Sequence, residues 1–160
     1  MPDPRQLCAE AVAREAGKLM RRRFEDRSSF SLSFKGHQDY LTEVDLEVEK
    51  LVVSRLSAPF PGDTFIGEEG ARQASDSVWV IDPIDGTANF ARGIAHFCIS
   101  IAYLRNARPE YGVIYDPMRD EMFSAAAGRG AMLNGVALKV AGTTDIRAST
   151  SRSAGTIAVA

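Results

Sequence analysis

The stretch Trp79-Val80-Ile81-Asp82-Pro83-Ile84-Asp85-Gly86-Thr87-Ala88-Asn89-Phe90 ends an apolar run with two aspartates and sets a proline between them. An unpaired carboxylate next to a core is costly. Any fold for this chain must therefore bring something favourable to the space between Asp82 and Asp85. The apolar run reads as a strand, and Pro83 biases Asp82 towards extended geometry. Gly86 permits a backbone conformation or a close approach that a side chain would block. The spacing predicts a strand that delivers Asp82 to its carboxyl end, then a turn, then a helix opening at Thr87. Both carboxylates and the Ile84 carbonyl can then face one point. Hard oxygen ligands of this kind suit Mg²⁺, and a helix N-terminus suits an anion.

Two further segments carry acids. Gly67-Glu68-Glu69-Gly70 follows a short apolar run and reads as a loop at a strand end. Glu68 reaches the same cavity if its strand neighbours the one ending in Asp82, whereas Glu69 reads as a surface or supporting acid. Asp45 sits in the first turn of a predicted helix, where an acid already has a structural role. Four acids sharing one pocket repel unless divalent cations neutralise them.

The remaining elements follow from periodicity. Asp3-Pro4 reads as a helix cap with proline at the first helical position, and Leu7, Cys8, Ala11, Val12, Leu19, Met20 and Phe24 recur at helical spacing. Phe30 to Phe34 alternates as a strand, its Phe30, Leu32 and Phe34 stripe reading as core or interface. Thr42 and Asp45 fit a capping box with Leu41 and Leu46 as the staple. The helix they open buries Val44, Val48, Leu51, Val52 and Leu56. Strands then follow at Asp63–Gly67, Val78–Asp82, His96–Leu104, Glu110–Asp116, Glu121–Ala127 and Gly130–Val140, with turns at Asp116-Pro117, Gly128 and Gly135. Two helices before a meander of strands predict an α+β fold, with helices packed on a largely antiparallel sheet.

The 160 residues allow one domain with a core. A net charge of −2 leaves no overall electrostatic footprint for nucleic acid. The Arg21-Arg22-Arg23 cluster with Arg27 lies where the dipole of the first helix favours cations. Cys8 and Cys98 belong to no metal or redox spacing and read as small, buried or half-buried side chains. His37 and His96 have no partner at metal spacing, and His96 is placed near a strand end. The amino terminus lacks an apolar signal core and no run reaches membrane-spanning length, so the cytoplasm is the expected location.

Gly67–Gly70, Trp79–Phe90 and the segment Gly112 to Gly135 resemble the inositol monophosphatase family of Mg²⁺-dependent, Li⁺-sensitive phosphatases. The resemblance runs from the first helix to about Gly142 and implies the N-terminal half of a layered αβαβα sugar-phosphatase fold. It implies Glu68, Asp82 and Asp85 as metal ligands through their side chains and Ile84 through its carbonyl. It implies Asp45 and Thr87 as the pair that activates water, and Asp85, Gly86 and Thr87 as contacts to the substrate. Lys35 and Asp39 fall near a loop bordering the site. The implied reaction is Mg²⁺-dependent hydrolysis of a small phosphate monoester by metal-activated water attacking phosphorus in line. A myo-inositol phosphate is the leading substrate; histidinol phosphate, a sugar phosphate or a 3′-phosphoadenosine nucleotide are alternatives. A homodimer is implied, with no nucleic acid or membrane partner. The Asp-x-Asp-x-Thr pattern of haloacid dehalogenases and the EF-hand loop both fail on the spacing of the acids.

The family's second half, with a Trp-Asp motif that completes a second metal site, has no counterpart here. Residues 1–142 are therefore expected to form the metal-carrying domain and 143–160 an aberrant or truncated tail, written as a reading-frame shift near Ser151. A catalytically defective fragment, retaining metal binding or self-association, is the alternative, and exposed sheet or helix surface is expected where the second half would pack.

Overall fold

The computed structural model describes residues 3–26, 32–36, 39–67 and 75–140. Asp3 takes an extended conformation (φ −63°, ψ 139°), and its carboxylate accepts the Arg5 N–H at 2.8 Å. Pro4 follows as the first residue of α1 (Pro4–Glu25), the cap read from the sequence. The buried face of α1 carries Ala9, Val12, Ala13, Ala16, Gly17 and Met20. These are mostly small residues, and they let the helix axis lie close to the sheet. The ribbon β1 (Leu32–Gly36) and β2 (Asp39–Thr42) is antiparallel and leads directly into α2 (Glu43–Ser57). The expected strand over Phe30–Phe34 thus runs on to Gly36, while Phe30 lies outside the described residues. Val44, Val48, Val52 and Leu56 are buried on α2 at a spacing of four, one stripe of a 3.6-residue helix. Leu51 packs against the core from the edge of that stripe.

Seven strands then pair in chain order: β3 (Thr64–Ile66), β4 (Ser77–Asp85), β5 (Cys98–Arg105), β6 (Arg108–Asp116), β7 (Glu121–Ala126), β8 (Gly130–Leu133) and β9 (Val136–Ala137). Only β3 with β4 is parallel; every later pair is antiparallel. The expected α+β arrangement is what forms. Strand alternation divides the sheet into two faces. Trp79, Ile81, Ile99, Ile101, Tyr103, Tyr111, Val113, Tyr115 and Met122 are buried in one cluster with α1 and α2. The opposite face presents Ala102, Leu104, Ile114, Phe123 and Ala125 to an open groove of about 890 Å³. Loss of one of the clustered side chains would leave a cavity and cost about 2–5 kcal/mol.

The first turn of α1 is tied to the sheet by a polar knot. Arg5 makes two hydrogen bonds to Asp63, at 2.8 and 2.9 Å, and the Trp79 indole N–H donates to the same carboxylate at 2.9 Å. The Arg5 guanidinium also lies 4.5 Å from the centre of the Phe60 ring, a cation–π contact. Burial pushes the Asp63 carboxyl up, but the hydrogen bonds from Arg5 and Trp79 and the Arg5 charge outweigh it and hold it below the ordinary value.

Two outcomes are expected. At Gly17 a Cβ would meet the Tyr115 ring and come within 3.1 Å of Pro117 Cβ. Gly17→Ala therefore overpacks the α1–β6 contact and should cost roughly 1–3 kcal/mol in urea denaturation. Asp63 has a folded pKa depressed below its unfolded value near 3.8. Its contribution is present above that value and is lost as pH falls through the lower folded value. Asp63→Asn should flatten this acid leg in urea midpoints taken from about pH 6 to about pH 2 and read by Trp79 fluorescence.

Candidate functional site

In a regular strand residues three apart point to opposite faces, so a plain extension of β4 would separate Asp82 from Asp85. The strand does not end at Asp82, as the sequence reading had it, but continues through Pro83 to Asp85. Its pairing shows why. Asp82 is opposite Ser100 and Asp85 is opposite Cys98, so three steps on β4 span two on β5. One residue is extra, a bulge. Ser100 and Cys98 lie on the same side of β5, and the bulge turns both aspartates to that side. Proline suits the irregular position because it offers no N–H to a ladder. The Cys98 thiol confirms the shared face, donating to Asp85 Oδ2 at 3.7 Å. Burial, and then the Asp85 charge, push that thiol up to about 12.

Beyond Asp85 the chain turns through Gly86 at φ 95°. A Cβ there would stand 3.0 Å from the His96 carbonyl oxygen and 3.3 Å from Phe97 Cα. Both the positive φ and the close backbone therefore require glycine. Helix α3 (Thr87–Arg92) opens at once, with the Gly86 carbonyl accepting from Asn89 and Phe90 N–H at 2.9 and 3.0 Å. The Asn89 side chain donates to the His96 carbonyl at 2.9 Å and pins the returning loop.

The hydroxyl of Thr87 stands 2.8 Å from the Ile84 carbonyl oxygen and 3.2 Å from Asp45 Oδ1. One hydroxyl proton thus has two acceptors. Asp45 projects from the first turn of α2 and is only 2% exposed. Asp45, Ile84 and Thr87, which the sequence could associate only through the family resemblance, are therefore in direct contact. Asp82 and Asp85 share a face through the bulge. Glu68 and Glu69 lie outside the described residues, as does His37; Lys35 and Asp39 fall in β1 and β2, where only the backbone is described. Strand β3 runs parallel to β4 with Ile66 level with Val80. The chain consequently leaves β3 at Gly67 heading for the end of the sheet that carries Asp82.

Beside Asp85 lies a cavity of about 270 Å³ walled by Gly86, Asn89, His96, Phe97, Cys98, Ile114, Asp116, Glu121 and Phe123. Sequence reasoning placed His96 at a strand end, but missed Asn89, Asp116 and Glu121 as neighbours of the site. Asp116 reads in sequence as a turn residue and does serve as one, accepting the Met118 and Arg119 N–H at 2.8 and 3.1 Å. Its second role depends on β6 ending level with Asp85, which no local signal encodes. Among the described residues no three His, Cys, Asp or Glu side chains converge as a metal site. The donors that are present, carboxylates and one backbone carbonyl, are the hard oxygens that Mg²⁺ takes. The set fits such an ion provided that an acid following Gly67 joins it.

Comparison with known proteins bears on the family and the fold. The chain is 43% identical over 136 residues to Nus factor SuhB of Pseudomonas aeruginosa and 41% identical over 134 residues to that of Escherichia coli, each match covering 82% of this chain and 50% of the relative. Among solved structures, the SuhB protein of Bartonella henselae matches with a TM-score of 0.79 at 34% identity, over 83% of this chain and 53% of that one. An IMPase of Thermotoga maritima matches with a TM-score of 0.77 at 32% identity, over 83% and 52%. The chain thus spans about half the length of the relatives it matches. A family model described as the inositol monophosphatase family matches residues 1–159, and the chain belongs to that family.

Proposed function

We propose that this chain carries the catalytic-motif half of a Mg²⁺-dependent phosphate monoester hydrolase, with a myo-inositol monophosphate as the leading substrate. The observation that carries the reading is the bulge in β4, which gives Asp82 and Asp85 a common face beside the Asp45–Thr87 contact. Asp82, Asp85, the Ile84 carbonyl and Glu68 would hold the metal, which when bound supplies Lewis-acid polarisation and a water acidic enough to attack at neutral pH.

The roles of the protein groups follow from their positions. Thr87 Oγ1 can take a proton from the attacking water while its own proton passes to Asp45 Oδ1, 3.2 Å away. Burial of Asp45 keeps bulk water from competing for that proton. The Thr87 and Ala88 N–H groups precede the first hydrogen bonds of α3, which Asn89 and Phe90 make to Gly86, and suit the phosphate oxygens. Asp85 and Gly86 border the cavity in which the alcohol portion would begin. Cytoplasmic location, Li⁺ inhibition and a homodimer belong to the same reading. Histidinol phosphate, sugar phosphates and 3′-phosphoadenosine nucleotides are the alternative substrates.

A second reading is a chain that keeps metal binding or self-association without turnover. The SuhB relatives are named as Nus factors, which supports a role in transcription rather than in hydrolysis.

Phosphate release from the four substrate classes, with and without Mg²⁺, separates the readings. Mg²⁺-dependent release that Asp82→Asn lowers more than about 100-fold supports the hydrolase. Thr87→Val should lower kcat by roughly 100-fold with little change in KM, since the hydroxyl acts on the proton rather than on substrate binding. Saturable metal binding with no release from any substrate would establish the second reading.

A further inference from the structure

Three hydrogen bonds tie Asn89 to the chain that frames the candidate site. Its backbone N–H donates to the Gly86 carbonyl, its own carbonyl accepts the Ile94 N–H, and its side-chain amide donates to the His96 carbonyl, each at 2.9 Å. The first two open and close a helical turn, and any residue but proline could make them. The third needs this side chain. Gly93, Ile94 and Ala95, which lead from α3 to His96, are exposed, so little packing holds them. The return to β5 is fixed on one side by Phe97, which is buried against Phe24 and Phe90, and on the other by the Asn89 amide. The carbonyl that Asn89 grips is the one that would stand 3.0 Å from a Cβ at Gly86. Asn89 therefore holds Gly86 from two sides, by its own N–H on the Gly86 carbonyl and through the His96 carbonyl where a Cβ would be.

That hold matters one residue further on. The Thr87 hydroxyl lies 2.8 Å from the Ile84 carbonyl oxygen but 3.2 Å from Asp45 Oδ1, and an O–H···O bond is best at about 2.8 Å. A drift of roughly half an ångström away from Asp45 would leave the hydroxyl bonded to the Ile84 carbonyl alone, and a carbonyl cannot take up its proton. We propose that Asn89 is a positioning residue that keeps the Thr87 hydroxyl within reach of Asp45, acting through the His96 carbonyl and Gly86. This rests on the hydrolase reading above, in which that hydroxyl passes its proton to Asp45.

The test is Asn89→Ala in the full chain, alone and combined with Thr87→Val. Alanine is a better helix former than asparagine, so α3 itself is not weakened. In the metal-free chain, hydrogen exchange at the Ile94 and His96 amides should quicken roughly tenfold while α1 and β6 keep their rates. With Mg²⁺ and substrate, kcat should fall roughly tenfold with KM nearly unchanged. Asn89→Ala should add no further loss to Thr87→Val, because the hydroxyl that Asn89 positions is already gone. A merely structural role would slow both backgrounds alike. Unchanged exchange or unchanged kcat in Asn89→Ala, or a loss that repeats in full beside Thr87→Val, overturns the proposal and leaves the hydrolase reading standing. Absence of phosphate release from the unsubstituted chain overturns both.

Discussion

The arrangement at the end of β4 depends on one extra residue. Without the bulge between Asp82 and Asp85, strand alternation would direct one carboxylate to the open face and the other towards the helix-packed core, where a charge is untenable. With it, Pro83 and Ile84 absorb the irregularity. Ile84 is buried at 1% exposure, Pro83 is buried beside it, and both acids are kept out of the core. The same shift aims the Ile84 carbonyl at the Thr87 hydroxyl. It also brings the chain into Gly86 at the height where the His96–Phe97 backbone leaves no room for a side chain. Proline, glycine and threonine each answer a different consequence of a single insertion into the ladder.

The core supplies the rigidity that this geometry needs. Small residues on α1 allow the helix to approach the sheet, and at Gly17 the Tyr115 ring leaves no room for a Cβ. At the far end of β4 the Arg5–Asp63–Trp79 knot fixes the strand with charge-assisted hydrogen bonds. The strand is thus held at both ends, by a structural carboxylate at Asp63 and by a hydroxyl-bridged one at Asp45. In the first the charge is matched by arginine. In the second it lies against the Thr87 hydroxyl.

Much of this was legible in the sequence because the signals are local. The Asp3-Pro4 cap, the stripe on α2 and the turns at Asp116-Pro117, Gly128 and Gly135 each depend on a few neighbouring residues. The pairing of the two aspartates could be suspected from Pro83 and Gly86, yet the reading ended the strand at Asp82. A proline looks like a terminator when the partner strand is unknown, and only the register against Ser100 and Cys98 reveals a bulge. The contacts that define the site are longer in range: Asp45 with Thr87 and Asp116 beside Asp85. Spacing within one segment cannot encode them, because they arise from how α2 and β6 are laid against the end of β4.

The order of the sheet has a consequence for how such a chain is made. From β5 to β9 successive strands pair across tight turns, and β4 pairs with β5 across the segment that holds α3. Contacts of low sequence separation form quickly and at small entropic cost. On a translating ribosome the sheet can grow strand by strand as the chain emerges, each hairpin templating the next. The bulged end of β4 needs only β5 as its pairing partner, so its register is specified before the later strands are added, while its stability waits for β6 and the helices.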